Sequence, residues 1–563
     1  MVNNEELMMN IEELDKLLSK LNYRGYTAYK RLRNLTINYE VARATFTKVQ
    51  SDPHAPPSIM EIVVPSSSHK FPNDFFKSES LVPFTDYLAR KLYNVTSKVR
   101  RKCGTGYSCY VGIPKPGPWI LKRSSVEVRD GNDLIVRIYV GLPARGRRVL
   151  GDKAKTLLLE DVPKIIRSII SLGERKREIR EHIDNYLDQE YIRKWLYENN
   201  YAFFIGDNSV LPRESSLTER PMRNSVPFRS PNSLRVSVKL PSGRLITGMA
   251  MPVGLVTVTG GGYHGKTTLL EAIQEGIYDH IEGDGRELTV SRRYTVLVKA
   301  EDGRIVSHVD ISSFIDKLPS GEDTSDYTSL DSSGSTSMAA SINEAIEAGA
   351  EVLLIDEDTS ATNLLYKDEV MKEIVVNDPI KPFCLQARSL VSKTGVSVIA
   401  IVSASSAFIN ISDRIILMEK YIPRDITPNV ERSNICGDEL LYKTPKKRSF
   451  HGIKDLKRVK AKGFKIVAEY YRGDSYELDL TYYPRIVEKG QVKFSAYIIE
   501  KLSNLRRPMS ISELISYVNR SIRDKSFSAF VKPVPPDLTV VDGFDVVWIL
   551  NRLYGSTFSQ IPN

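Results

Sequence analysis

Residues 257–273 read TVTGGGYHGKTTLLEAI, an apolar strand that runs into a glycine-rich turn and then an amphipathic helix. Within it Gly260–Thr267 fits the spacing G-x-x-x-x-G-K-[ST]. Gly260, Gly261, Gly262 and Gly265 let successive backbone N–H groups face one concavity, with Tyr263 and His264 between them, and the helix N-terminus adds partial positive charge for phosphate. Lys266 would reach the β- and γ-phosphates of a nucleoside triphosphate, Thr267 would hold Mg²⁺, and Thr268 joins the phosphate-binding set. His264 is unusual in such a turn, and the role expected of it is shaping the backbone in its neutral form.

Two further elements bear on the same chemistry. VLLIDED (352–358) places Asp356 at the end of an apolar strand 90 residues beyond Lys266, where it can bind Mg²⁺, with Glu357 immediately after it. Adjacent side chains at a strand end point differently, so Glu357 is expected to polarise the attacking water while Asp356 serves the ion. The other element is DSSGSTSMAA (331–340), a Ser-Gly-Ser turn that opens a helix. Taken alone it reads first as a Ser-rich cap, and its N–H groups and hydroxyls also offer a second phosphate-binding surface.

Around these motifs the chain alternates strand and helix. Helices are expected at 266–278, 337–348 and 381–393, and strands at 254–259, 351–356, 396–403 and 414–419. Two strands are expected to flank Glu301-Asp302-Gly303 within 288–309. The pattern predicts an α/β core with a parallel sheet. Upstream, an amphipathic helix (6–20), a hairpin about Asp130-Gly131-Asn132, and helices over 153–170 and 173–199 make an N-terminal α+β domain. Downstream, Tyr-rich alternation after residue 466 and helices near 491–502 and 510–525 make a small C-terminal α+β domain. The boundaries expected are 1–199, 200–424 and 425–563.

Composition excludes other classes. With 41% hydrophobic and 26% charged residues, the 563-residue chain forms true cores and is not disordered overall. Four Cys without metal spacing argue against a zinc site or a disulfide framework and for a reducing compartment. No apolar run reaches 18 residues and no secretory leader is visible, so a cytoplasmic protein away from membranes is expected.

The set as a whole resembles the ATP-binding cassette ATPases. DSSGSTS is similar to their signature loop, with Ser335 in place of the last Gly, and DEDTSATN (356–363) to their acidic pair and D-loop, with Asn363 where Asp is usual. GGGYHGKTTLLEAIQEGIYDHIEGDGRE, EDGR, SSGSTS and LLIDEDTSATN further resemble the predicted ABC-class ATPases, which have no transporter subunit; one protist member is a mitochondrial RNA-binding protein associated with RNA editing. The resemblance covers residues 200–420, extends into GLPARGRRVLGDKA (141–154), and is weak beyond 425. It implies a P-loop NTPase fold of the cassette type with flanking α+β domains. It also implies a head-to-tail homodimer in which Ser333, Gly334 and Ser335 touch the γ-phosphate held by the other copy's P-loop, and Ser360 to Asn363 cross to the partner. The switch His that transporter-type cassettes carry after the fifth strand is missing, since no His lies between 309 and 450. Ser403 or Ser405 stands in its place, and a hydroxyl cannot carry an imidazole's charge, so slow ATP hydrolysis is expected. The Q-loop Gln is not evident, with Asp310 a stand-in. Arg286, in a possible lid with His280, is a candidate phosphate contact, and a surface turn explains it equally.

The net charge of +10 is concentrated. KTPKKRSFHGIKDLKRVKAKGFK (443–465) holds ten Lys or Arg and one Asp, a balance of +9, and Arg145, Arg147, Arg148 and Lys153 form a second basic group. With Tyr23, Tyr26 and Tyr29 as stacking surfaces, they point to RNA or another single-stranded nucleic acid. A solvated linker and core tyrosines give the same composition, and a protein-directed chaperone or assembly-factor ATPase is the alternative function.

Overall fold

The computed structural model describes residues 8–432 and 439–562; residues 6 and 7 of the first expected helix, and Cys436, lie outside them. By compactness the chain forms two units, Met1–Leu187 with Phe527–Val540, and Asp188–Ser526 with Val541–Asn563.

The first unit is built on a seven-stranded sheet whose long central strands are Arg43–Lys48, Ser58–Val64 and Asp133–Val140. The expected hairpin is there: Val126–Arg129 pairs antiparallel with Asp133–Val140 around Gly131, whose φ of +82° suits the turn. Helices Ile11–Leu21 and Ser78–Val99 pack apolar faces into one core with this sheet. The first opens on a capping box from Asn10 and Glu13. The helix expected at 153–170 runs from Gly151 to Ser171 with a π-helical stretch over Thr156–Asp161. Cys103 and Cys109 are joined in a disulfide, which corrects the expectation of a chain without one; the turn through Gly104 and Gly106 brings their Cα atoms to 5.6 Å.

The second unit carries the P-loop. Its central elements are β1 (Leu255–Thr259), α1 (Lys266–Glu275), β2 (Thr295–Val298), α2 (Gly334–Glu347), β3 (Val352–Asp356), α3 (Phe383–Thr394), β4 (Ser397–Ile401), β5 (Arg414–Glu419) and β6 (Ile422–Asp425). The sheet order is β2-β3-β4-β1-β5-β6, parallel except for β6. The strands are near-continuous apolar runs, as burial on both faces demands. Thr257, the polar exception in mid-β1, is fully buried and shares a 2.6 Å hydrogen bond with the Ser412 hydroxyl. The layered parallel core is therefore the one the alternation predicted.

Two strands flank Glu301-Asp302-Gly303 as expected, but in different sheets: β2 belongs to the parallel sheet, while Arg304–Val309 pairs with Tyr327–Ser332. A second, antiparallel sheet runs Arg235–Lys239, Leu245–Pro252, Tyr201–Gly206, Thr289–Ser291. The basic segment is folded: Arg448–Ile453, Leu456–Lys462 and Lys465–Tyr470 are strands of two three-stranded sheets. No helix of the described residues is long and apolar enough to cross a membrane.

Candidate functional site

The site collects at the C-terminal ends of the neighbouring parallel strands β3, β4 and β1, where loops of an open α/β sheet converge. β1 delivers the P-loop. Gly260 takes φ +143°, and a Cβ there would lie 2.4 Å from the Met418 carbonyl oxygen, so only glycine lets this turn pass β5. Gly265 caps α1 in the left-handed region at φ +94°. His264 braces the loop against the turn after β5: its Nδ1 accepts from the Lys420 N–H at 3.2 Å, and its carbonyl from the Tyr421 N–H at 3.2 Å. Tyr263 stands 99% exposed. Gly261, Gly262 and Thr267 are exposed and Thr268 half-buried at the loop and first helical turn, where N–H groups lack intrahelical acceptors. Lys266 is folded over the loop, its Nζ donating to the carbonyls of Gly260 and Gly261 at 2.7 Å each.

β3 delivers the acidic pair. Asp356 is 5% exposed, its Oδ1 accepts from the Asp358 N–H, and burial raises its carboxyl above the ordinary range. Glu357 is held on both oxygens. Oε2 accepts from the backbone N–H groups of Ser403 (2.6 Å) and Ala404 (3.0 Å) just beyond β4, and Oε1 from the Tyr366 hydroxyl at 2.9 Å. The main chain of Ser403 thus makes the contact. The Ser405 hydroxyl instead accepts from the Ala407 N–H at the start of the short helix Ala407–Ile411.

Among the described residues no cluster of three or more His, Cys, Asp or Glu could hold a metal alone. A Mg²⁺ carried by nucleotide needs no such cage: it keeps waters and phosphate oxygens and takes one or two protein ligands. The buried Asp356 carboxyl and the exposed Thr267 hydroxyl are hard oxygen donors that fit that requirement.

The signature-like turn opens α2. Ser333 is its N-cap, accepting from the Thr336 N–H, and a Cβ on Gly334 would meet Asp302 Oδ1 at 3.0 Å. The Ser335 hydroxyl donates to Asn363 Oδ1 at 2.9 Å, and the Ser360 hydroxyl donates to the Asp356 carbonyl at 2.6 Å. Within one chain, then, the signature-like turn, the segment 360–363 and the acidic pair are already connected.

Other expectations move. Arg286 is 1% exposed, donates to the Leu211 carbonyl and pairs with Glu275, so it is neither a surface turn nor a phosphate lid; His280 is buried against Asp284. Asp310 is buried and occupied by Ser312, with Lys443 at 3.7 Å. Tyr26 and Tyr29 are core residues whose hydroxyls donate to the carbonyls of Leu142 and Pro143, so only Tyr23, 68% exposed, is open for stacking. Residues 23–26 lie hydrogen-bonded along 147–149, which gathers exposed Arg24, Arg145, Arg147 and Arg148 around Tyr23. In the basic segment, Arg448 is buried against Glu347, while Arg458 and Lys460 pair with Glu469 and Lys465 with Glu477.

The residues that sequence reasoning missed are Tyr366, the amide of Ala404, and the Lys420–Tyr421 turn, which takes positive φ without glycine. A backbone amide carries no side-chain signal, and Tyr366 lies outside every motif.

Comparison with known proteins agrees with this geometry. The family profile described as a P-loop domain of ABC ATPases matches residues 175–453, and that for the N-terminal region of ATPases of the ABC class matches residues 11–172. An uncharacterized protein of Methanocaldococcus jannaschii is 32% identical over 370 residues, which are 62% of this chain and 76% of that protein.

Proposed function

We propose, from the premise that this chain belongs to the ATPases of the ABC class, that it binds Mg-ATP, hydrolyses it slowly at two composite sites of a head-to-tail homodimer, and couples that cycle to holding single-stranded RNA. The observation that carries the ATPase reading is the convergence of Lys266, Asp356 and Glu357 at the ends of β1 and β3.

On nucleotide entry Lys266 exchanges the Gly260 and Gly261 carbonyls for β- and γ-phosphate oxygens, and the loop N–H groups cradle the phosphates. Thr267 and Asp356 would hold a Mg²⁺ arriving with the nucleotide, which would supply charge neutralisation on the phosphates. Glu357 takes a proton from the attacking water, its Oε2 held by the two amides beyond β4. Ser333, Gly334 and Ser335 of one protomer close over the γ-phosphate bound by its partner, and Ser360 and Asn363 line the same seam. A two-fold pair gives two such sites. Without a switch His, transition-state charge has one fewer cationic partner, which supports slow turnover.

The RNA reading is supported by the Arg24, Arg145, Arg147 and Arg148 cluster around exposed Tyr23, to which Lys153 adds charge. Such a surface binds phosphates without sequence preference and releases them with salt.

The test is the Glu357→Gln variant. ATP binding should persist, turnover should fall about 100-fold or more, and light scattering with ATP-Mg²⁺ should show a dimer. Normal turnover removes Glu357 as the base, and a monomer in every condition removes the composite site. Single-stranded RNA should bind at low salt and weaken steeply at higher salt; no binding at low salt removes the RNA reading.

A further inference from the structure

We propose that Tyr366 is a positioning residue for hydrolysis: its phenol fixes the Glu357 carboxylate so that one lone pair of Oε1 remains to take the proton of the attacking water. This rests on the reading of Glu357 as the base.

The geometry is a count of acceptor sites. A carboxylate has about four lone-pair positions. The N–H groups of Ser403 and Ala404 take both on Oε2, and the Tyr366 O–H takes one on Oε1. One remains. Because both amides bind the same oxygen, they leave the carboxylate free to turn about that oxygen, and the terminal torsion of a Glu side chain is intrinsically broad. A donor on the other oxygen removes that freedom. Tyr366 is the donor that does so.

Tyr366 is placed to act as a fixed strut. The two residues before it, Leu364 and Leu365, are fully buried. Its own N–H donates to the Thr362 carbonyl at 3.0 Å. The residue after it, Lys367, pairs with Asp378 and donates to the Ile380 carbonyl at 3.1 Å. The backbone is therefore pinned on both sides of the ring, which fixes the point from which the phenol reaches Glu357. Burial first, then the neighbouring carboxylate, pushes the phenol pKa up to about 12, so the O–H keeps its proton across any ordinary assay pH. Tyr366 itself is half-buried, and the apolar anchoring at this turn comes from its leucine neighbours.

Tyr366→Phe tests this because it keeps the ring and deletes only the donor. A hydrogen bond to a charged group is lost, so kcat should fall about 10-fold or more. KM, ATP affinity and the unfolding midpoint should stay at parental values, since nothing that binds nucleotide or fills the core has changed. In a Glu357→Gln background the same substitution should leave the residual rate where it was. Parental kcat in Tyr366→Phe overturns the proposal, and so does a raised kcat, which would make the phenol a restraint. An equal fall in both backgrounds overturns it too, because the effect would then bypass Glu357. If Glu357→Gln alone turns over normally, the base reading fails and carries this proposal with it; if Glu357→Gln is inactive and Tyr366→Phe is parental, only the proposal fails.

Discussion

Arg448 is the sharpest point at which the folded chain departs from its charge pattern, and its removal gives a worked prediction. Its guanidinium is 1% exposed, donates from Nε to Glu347 Oε2 at 2.8 Å, from Nη1 to the Ser307 carbonyl at 2.8 Å and from Nη2 to Asn551 at 3.0 Å. Glu347 is the last residue of α2, whose other end carries the signature-like turn. Arg448→Ala keeps the bond from the residue-448 backbone N–H to Glu347 but leaves that carboxylate buried without its counter-ion, a loss of about 3–5 kcal/mol. At about 2 °C per kcal/mol for a unit of this size, the melting temperature of the second unit should fall by roughly 6–10 °C near pH 8. The pH dependence follows from Glu347, whose carboxyl burial already raises above 4.5 in spite of Arg448. Without Arg448 it rises further. A carboxyl raised in the folded state binds its proton more tightly there, so its penalty is absent below the unfolded value and grows as pH rises through the folded one. The gap between variant and parent should therefore be small near pH 4.5–5 and full at pH 8. Arg448→Met combined with Glu347→Gln should recover more than half of it, since a neutral pair of similar volume leaves no buried charge. Thermal unfolding across that pH range is the assay. A gap that is the same at both ends, or a shift under about 1 °C at pH 8, would refute the reasoning.

Two further outcomes are expected. Gly260→Ala forces a Cβ within 2.4 Å of the Met418 carbonyl at a φ of +143°, so ATP affinity should drop by about 10-fold or more as measured by calorimetric titration; unchanged affinity would show that the turn can relax. Tyr29→Phe deletes the buried bond to the Pro143 carbonyl, so the first unit should lose about 1 kcal/mol in urea unfolding while RNA affinity stays put; a weakened RNA complex at intact stability would return Tyr29 to the binding surface.

The ATPase core was legible because its signals are local. A strand, a glycine turn and a helix read in sequence as they fold, and the apolar runs 255–259, 352–356 and 397–401 became the buried parallel strands. What was illegible depends on who meets whom in space. Two strands about Glu301-Asp302-Gly303 could be read locally, but not that the first pairs with β3 and the second with Tyr327–Ser332. Tyr26 and Tyr29 carry the same aromatic signal whether stacked on a base or bonded to a carbonyl across more than a hundred residues. Ser403 was found by position but contributes through its amide, which composition cannot report.

That difference reshapes the meaning of the charge. A run of ten cations looks like one binding surface only while its partners are unknown. Folded, Lys443, Arg448, Arg458, Lys460 and Lys465 lie beside Asp310, Glu347, Glu469 and Glu477, acids drawn from outside the run. Charges neutralised in this way release few counterions on meeting a phosphate chain, so they add little to salt-dependent binding. The exposed arginines at 145, 147 and 148 meet that requirement better: the Arg147 side chain is 87% exposed and pairs with Asp52 at 3.4 Å. If RNA binds, the arginines at 145, 147 and 148 should therefore contribute the steeper salt dependence. Replacing Arg145, Arg147 and Arg148 should flatten the slope more than replacing Arg458, Lys460 and Lys465, although both sets remove the same formal charge.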